Sequence, residues 1–134
     1  KRDALRVVHQ SAEALQAGDT VAVFPEGTTG PGDALLPFHA NLLQAAIATA
    51  VPVQPVALRY ADRRLPVSPS ALWIGDTTLA QTLWLLATAD GLVAHLRVLP
   101  ARATAHADRR ALVETLRIDI DSALAEIDRR HRPA

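Results

Sequence analysis

A carboxylate between a short apolar run and a glycine-containing loop is the feature of this sequence best suited to chemistry. Glu26 follows the run at residues 21–25 and precedes Gly27, Thr28, Thr29 and Gly30. Apolar residues followed by glycine and proline mark the end of a strand, and ligands bind at strand ends in open α/β sheets. The pattern predicts one carboxylate and several backbone N–H groups facing a ligand. A plain turn with a solvated glutamate is the alternative.

Five histidines are further candidates for acid–base chemistry. A histidine base needs a pKa near the working pH and an orienting carboxylate close by. His39 follows Phe38 at the start of a predicted helix, where it either contacts an anion or caps and packs the helix. His9 and Glu13 lie one helical turn apart. We interpret them as a solvated pair, because no third ligand accompanies them, and predict no metal site.

Hydrophobic periodicity predicts helices and strands in alternation. Helices are expected at residues 3–16, 37–50, 78–89 and 108–130, and strands at residues 20–24, 51–60 and 92–99. Thr77 or Thr78 and Asp108 are suited to helix N-caps. Pro52 and Pro55 indicate that the second strand lies at an edge or is only partly laddered. Strands separated by helices imply an α/β fold with a mainly parallel sheet flanked by helices.

Composition is typical of a globular chain and excludes several classes of function. The 134 residues include no cysteine, which excludes disulfide and thiolate chemistry. Fourteen basic residues balance fourteen acidic ones, so no overall field favours nucleic acid as a partner. No run of 18 apolar residues occurs, so no bilayer span is predicted. The glycine motifs of nucleotide-binding domains are also missing.

Three segments resemble the third and fourth sequence blocks of the glycerolipid acyltransferases, in particular the lysophosphatidic acid acyltransferases. They are Phe24-Pro25-Glu26-Gly27-Thr28, Leu35-Leu36-Pro37-Phe38 and Val51-Pro52-Val53-Gln54-Pro55-Val56-Ala57-Leu58. The resemblance implies that family's fold. It also implies acyl transfer from acyl-CoA or acyl carrier protein to the free hydroxyl of a lysophospholipid, without a bound cofactor or metal.

The same resemblance implies where the acceptor's glycerol-phosphate binds. The implied substrate-binding residues are Phe24, Pro25, Glu26, Gly27, Thr28, Thr29 and His39, with Val53 and Pro55 supporting the pocket. Thr29 stands where the family frequently carries arginine, the residue best shaped for bidentate phosphate contacts. His39 stands where the family more often carries lysine. Lyso-ornithine-lipid acyltransferases, which act on zwitterionic acceptors, are therefore kept as an alternative.

The family's catalytic histidine and aspartate, spaced as H-x4-D, are missing from the sequence. The residues five positions after His9, His39, His95 and His106 are Ala14, Gln44, Pro100 and Ala111. We expect this pair upstream of Lys1, so that residues 1–134 are the C-terminal portion of a single acyltransferase domain, incomplete at the N-terminus and inactive alone. A module that binds a lipid head group without catalysis is the alternative in a different class.

The expected partners are a lysophospholipid acceptor, acyl-CoA or acyl carrier protein, and a membrane surface. An apolar run supplies a candidate contact with membrane and contains Leu79, Leu83, Trp84, Leu85 and Leu86. We interpret this run as helix core, with membrane contact as the alternative. The expected location is the cytoplasmic side of a bacterial inner membrane, either peripheral or anchored by residues that precede Lys1.

Overall fold

The computed structural model describes residues 2–131, with side chains from residue 6 onward, and contains four α-helices and two β-strands in that part of the chain. The helices are α1 (Arg2–Gln16), α2 (Gln44–Thr49), α3 (Leu79–Thr88) and α4 (Arg109–Arg130). The strands are β1 (Val56–Ala61) and β2 (Val93–Val98). Two short 3-10 helices lie at Ala40–Leu43 and Pro69–Ala71. The observed order matches most of the predicted elements but not all of their bounds.

β1 and β2 pair in an antiparallel sheet, with Val56 opposite Val98 and Ala61 opposite Val93. The prediction of a mainly parallel sheet is therefore wrong for the strands that pair within residues 2–131. That prediction took the helices between strands as crossovers that connect parallel strands. Instead α3 packs beside the 3-10 helix Pro69–Ala71, and the chain returns along β1 in the opposite direction.

Residues 20–24 form no strand in the structure, contrary to the prediction. Val23 is 40% exposed and Phe24 is 81% exposed. An extended segment needs a neighbouring strand to satisfy its backbone groups, and β1 and β2 pair with each other instead. The apolar pattern therefore identified a segment whose side chains remain exposed, because no other described part of the chain packs over them.

The helix predicted at residues 37–50 begins later and is divided into the 3-10 helix Ala40–Leu43 and α2. The His39 N–H donates a hydrogen bond of 2.7 Å to the Pro25 carbonyl, and His39 has extended backbone. A residue with extended dihedrals cannot belong to the first helical turn, so the helix starts at the next position. This bond also joins the start of the helix to the start of the Glu26 loop.

Local signals at the starts of three elements are confirmed. Thr78 and Gln81 form a reciprocal capping box at the start of α3. The Asp108 carboxylate accepts a hydrogen bond of 2.8 Å from the Ala111 N–H at the start of α4. The β1 ladder begins only after the two prolines of residues 51–55, where pairing is limited to one isolated bridge. These features depend on neighbours in sequence, which is why the sequence predicts them.

α4 packs against β1 and against the 3-10 helix Ala40–Leu43. Its side chains enter both core clusters, one made of Ala57, Ala123 and Leu124 and the other of Leu43, Leu112 and Leu116. Removal of such apolar side chains from water is the main force that holds the elements together. The other face of β1, with Val56, Leu58 and Tyr60, is exposed. The sheet is thus covered by α4 on one side.

Arginines outside α4 form ion pairs with carboxylates along the helix. The pairs are Arg59 with Asp128, Arg97 with Glu126, and Arg102 with Asp119. The hydrogen bond from Arg97 lowers the pKa of Glu126 below its usual value. The contribution of this ion pair to stability is therefore present at pH values above the usual pKa of a glutamate. It is lost as the pH falls through the lowered pKa of Glu126. Together these pairs fix the orientation of α4 against the sheet.

Candidate functional site

The loop of residues 26–36 is closed by the carboxylate that the sequence singles out. Glu26 Oε2 accepts a hydrogen bond of 2.7 Å from the Leu36 N–H. A tight turn precedes the loop, in which the Gly27 N–H donates to the Phe24 carbonyl at 3.1 Å. A hydrogen bond to an ionised acceptor is stronger than one between neutral groups. Glu26 is half-buried and thus determines the shape of the loop that carries it.

The turn that begins this loop requires glycine at position 27. Gly27 has a φ of +68°, a conformation that side chains rarely adopt. A Cβ atom added to Gly27 would lie 2.8 Å from Cδ2 of His39. The His39 ring therefore packs against the turn, and its backbone N–H holds the Pro25 carbonyl from the same side. Three of the sequence-predicted site residues are thus brought together at the entrance of the loop.

A cleft of about 250 Å³ lies between the Glu26 loop, β1, the segment before α3, and α4. Three residues predicted for the site line it, namely Glu26, Thr28 and Thr29. The other lining residues are Gly30, Gly32, Asp33, Ala34, Leu35, Leu58, Arg59, Ala71, Leu72, Trp73, Asp121 and Leu124. The cleft therefore combines loop hydroxyls and carboxylates with an apolar wall from β1 and α4.

The other predicted residues lie outside the lining of this cleft. Phe24 is exposed at the turn that precedes the loop. Val53 packs against the core cluster near α2, and Pro55 is buried before the start of β1. β1 reaches the cleft farther along, at Leu58 and Arg59. The strand thus contributes to the cleft at positions that the sequence-based prediction did not name.

Arg59 is the cleft residue that sequence reasoning missed. Its side chain is 9% exposed, and it donates hydrogen bonds to the Gly32 carbonyl and, at 2.9 Å, to the Asp128 carboxylate. It lies on the covered face of β1 between Ala57 and Ala61. The one sequence signal that could have identified it is a single charge among small apolar residues on one face of a strand. Arg59 connects the Glu26 loop to α4.

The charged groups that line the cleft are mostly acidic. They are the carboxylates of Glu26, Asp33 and Asp121 and the guanidinium of Arg59. Within the described chain, Arg59 Nε and Asp128 Oδ1 are buried and have no hydrogen-bond partner. Buried polar atoms normally have a partner. The Nε–H of Arg59 is therefore left without a partner in the interior.

Groups of three or more side chains suited to hold a metal ion are absent from the part of the chain that the structure describes. The three carboxylates that line the cleft therefore do not form such a group. His9 Nε2 lies 3.3 Å from the Glu13 carboxylate, and both side chains are largely exposed. The pair therefore lies on the solvent side of α1, as a solvated pair would.

Comparison with known proteins gives the relationship of the chain. Residues 1–59 match the family model described as Acyltransferase. The lyso-ornithine lipid O-acyltransferase of Pseudomonas aeruginosa is 35% identical over 108 residues, which cover 80% of this chain and 42% of the relative. The 1-acyl-sn-glycerol-3-phosphate acyltransferase of Neisseria meningitidis serogroup B is 34% identical over 129 residues, covering 94% of this chain and 49% of the relative.

A third relative is the lyso-ornithine lipid O-acyltransferase of Brucella abortus, 34% identical over 128 residues, with 83% of this chain and 48% of the relative covered. The chain spans about half the length of the curated relatives it matches. No solved structure matches it significantly. The resemblance carried by the Glu26 loop and the two segments that follow it is confirmed by these matches, and the chain belongs to the glycerolipid acyltransferase family.

Proposed function

We propose that the protein is an O-acyltransferase that moves a fatty acyl group from acyl-CoA or acyl carrier protein to the free hydroxyl of a lysolipid. The cleft under the Glu26 loop is the observation that carries this proposal. It places Glu26, Thr28 and Thr29 against an apolar wall, which matches an acceptor with a polar head and a hydrocarbon chain. The relatives support it, since both kinds are named as acyltransferases of lysolipids.

In this proposal residues 1–134 position the acceptor. The acceptor hydroxyl oxygen forms an ester bond with the acyl carbon, the carbon–sulfur bond of the thioester breaks, and the thiol leaves with a proton. None of the histidines among residues 2–131 lines the cleft. The cleft therefore contributes orientation. Holding the hydroxyl and the thioester in line removes much of the entropic barrier to a reaction between two molecules.

The full natural polypeptide is expected to acylate lysolipids. The assay supplies acyl-CoA or acyl carrier protein thioester with lysophosphatidic acid or lyso-ornithine lipid and detects the diacyl product by mass spectrometry. A diacyl product supports the proposal. Binding of a lysolipid without product would support a non-catalytic head-group-binding module instead. If neither a diacyl product nor lysolipid binding is detected, both the enzyme and the binding-module proposals are contradicted.

We also propose that α3 contacts the membrane that holds the acceptor. α3 contains no charged residue, and Leu79, Leu83 and Trp84 are 59%, 57% and 70% exposed. Thr82 is its buried residue, so the interpretation of this apolar run as helix core is wrong within the described structure. No helix in residues 2–131 is long and apolar enough to cross a bilayer. A contact at the membrane surface would remove these side chains from water.

The size of this surface favours lipid over a second protein. A helix of ten residues is about 15 Å long, so one of its faces is too small to supply the area of a stable protein interface, which buries about 800 Å² on each partner. Lipid accepts single tryptophan and leucine side chains from one helix face. Trp73 lines the cleft and Ile74 is exposed beside it, so apolar surface continues from the cleft towards α3. Because the proposed acyl donors are cytoplasmic, we propose the cytoplasmic face of the inner membrane.

Replacing Trp84 with glutamate is expected to weaken binding to phospholipid vesicles by about tenfold or more, because burial of a large apolar side chain is worth roughly 1.5–3 kcal/mol. Cosedimentation of the full natural polypeptide with phosphatidylethanolamine and phosphatidylglycerol vesicles measures this. Val7→Glu is the matched control, since Val7 is an exposed apolar residue of another helix. Equal binding by the two variants, both folded by circular dichroism, would contradict membrane contact through α3.

A further inference from the structure

We infer that the half of the acyltransferase domain outside residues 1–134 packs on the outer face of the β1–β2 sheet. The outer face is the side turned away from α4, and its residues are Val56, Leu58, Tyr60, Ala94, Leu96 and Val98. This inference rests on the family to which the chain belongs and goes beyond the proposed acyl transfer, because it concerns how the domain is assembled. A contact between two parts of the protein therefore tests it, without any reaction.

The register of the two strands gathers apolar side chains on the outer face. The pairs on that face are Val56 with Val98, Leu58 with Leu96, and Tyr60 with Ala94. Side chains directly opposite each other on paired strands lie on the same face of the sheet. The outer face therefore carries aliphatic side chains and one tyrosine, without a charged residue. Leu96 and Val98 are 63% and 56% exposed.

The face that α4 covers is the more polar of the two. Its pairs are Ala57 with Arg97, Arg59 with His95, and Ala61 with Val93. An antiparallel sheet with one face in water normally turns its apolar residues towards the core and its polar residues towards water. Here the two arginines and the histidine of the strands lie on the covered face, and the apolar face is exposed. This distribution is expected of a sheet that is packed on both faces.

The open edges of the sheet favour a protein cover over a lipid one. Within residues 2–131, β1 and β2 form a sheet of two strands, so each has an edge without a strand beside it. Lipid tails offer no hydrogen bonds, and open sheet edges do not occur in contact with hydrocarbon. A protein layer can cover the face and also supply partners for the edges. α3 differs, because a helix pairs its own backbone and can therefore meet lipid.

The relatives contain enough additional chain for such a layer. The match to the Neisseria meningitidis relative covers 94% of this chain but 49% of that protein, and the match to the Brucella abortus relative covers 48% of that protein. About half of each relative therefore lies outside the matched segment. A helix or sheet with one apolar face must bury that face against another element of its domain. The remaining half of the domain is thus the cover that the family itself provides.

Leu58 connects the outer face to the cleft. It belongs to the outer face, and it also lines the cleft together with Arg59, which lies on the face that α4 covers. A layer packed over the outer face therefore reaches the cleft at Leu58. The remaining half of the domain would in this way place its own side chains beside the proposed acceptor. The position of this layer thus decides which further residues can contribute to the cleft.

A photoreactive residue on the outer face identifies what covers it. p-Benzoylphenylalanine is placed at position 60, where it replaces an aromatic residue, or at position 96 of the full natural polypeptide. After irradiation and digestion, mass spectrometry is expected to find cross-links to peptides of the same molecule outside residues 1–134. Position 105 is the control, because Ala105 is exposed and lies outside both strands. Its yield of such cross-links should be lower.

Three results would overturn the inference. In a mixture of isotope-labelled and unlabelled protein, cross-links that join the two kinds of chain would assign the outer face to a second copy. Cross-links to lipid on phospholipid vesicles would assign it to a membrane. A yield at positions 60 and 96 no higher than at position 105 would leave the face uncovered. A natural polypeptide without a further half would also contradict the inference.

Cysteine labelling gives a second readout that does not depend on a bulky probe. Leu96→Cys, in the full natural polypeptide without other cysteines, is expected to react with a maleimide at least about tenfold more slowly when folded than in urea. Ala105→Cys should react at similar rates in both states. Equal rates for Leu96→Cys would contradict the cover. Because neither readout uses acyl transfer, a protein that fails to acylate lysolipids but shows the contact would refute the proposed function alone.

Discussion

Alanine in place of Glu26 is expected to reduce acyl transfer by about 10- to 100-fold, because a hydrogen bond to a charged group is worth about 1.5–3 kcal/mol. The Glu26 carboxylate accepts the Leu36 N–H at 2.7 Å and so closes the loop that carries Thr28 and Thr29. Without it the Leu36 N–H loses its partner and the loop loses its fixed shape. The measurement is kcat/KM of the full natural polypeptide for a lysolipid, with circular dichroism to show that the fold is retained.

Glu26→Gln is the matched control for this variant. The glutamine amide oxygen can still accept the Leu36 N–H, so loop closure is kept while the negative charge is removed. We expect an intermediate loss of activity. If glutamine is as damaging as alanine, the charge of Glu26 matters more than its contact with the loop. Unchanged turnover in Glu26→Ala would contradict the assignment of the cleft as the acceptor site.

Replacing Asp128 with alanine is expected to lower the free energy of unfolding by about 3 kcal/mol. Removing one partner of a buried ion pair costs about 3–5 kcal/mol, since the other charge is left buried and unpaired. Arg59 is buried, but Asp128 is 32% exposed, which places the expected cost at the lower end. Urea unfolding of the full natural polypeptide measures the change. Activity should fall as well, because Arg59 also holds the Gly32 carbonyl of the loop.

Glu114→Ala is the control on the same helix. It breaks the pair between Glu114 and Arg117, which is exposed, and such pairs contribute about 0–1 kcal/mol. A combined Arg59→Met and Asp128→Leu variant should recover stability but not activity, because apolar replacements remove the unpaired charge. If Asp128→Ala costs no more than Glu114→Ala, Arg59 is not held by this pair and its proposed role in fixing the loop is wrong.

Features set by neighbouring residues were predictable from the sequence. The capping residues Thr78 and Asp108 and the late start of the β1 ladder follow from side chains within a few positions. The resemblance of the Glu26 loop to a family block had the same local origin. Glu26, Thr28 and Thr29 line the cleft, and their contact with an acceptor stays a prediction.

Features set by distant residues were not predictable. The direction of β2 depends on where α3 packs, and alternation of helix and strand does not report this. The exposure of Trp84 likewise depends on which elements lie beside α3, since its apolar residues fit a buried helix equally well. Arg59 was missed because its partners, Gly32 and Asp128, are brought to it only by folding.

The connection from Gly32 through Arg59 to Asp128 has a consequence for sequence variants of this protein. Asp128 is close to the C-terminal end of α4, and most of the chain separates it from Glu26. A ranking of substitutions by distance along the sequence from the family motif would place Asp128 among the remote positions. By contact only one residue, Arg59, separates Asp128 from the loop. Substitution of Asp128 is thus expected to impair acceptor recognition, unlike substitution of an exposed surface residue.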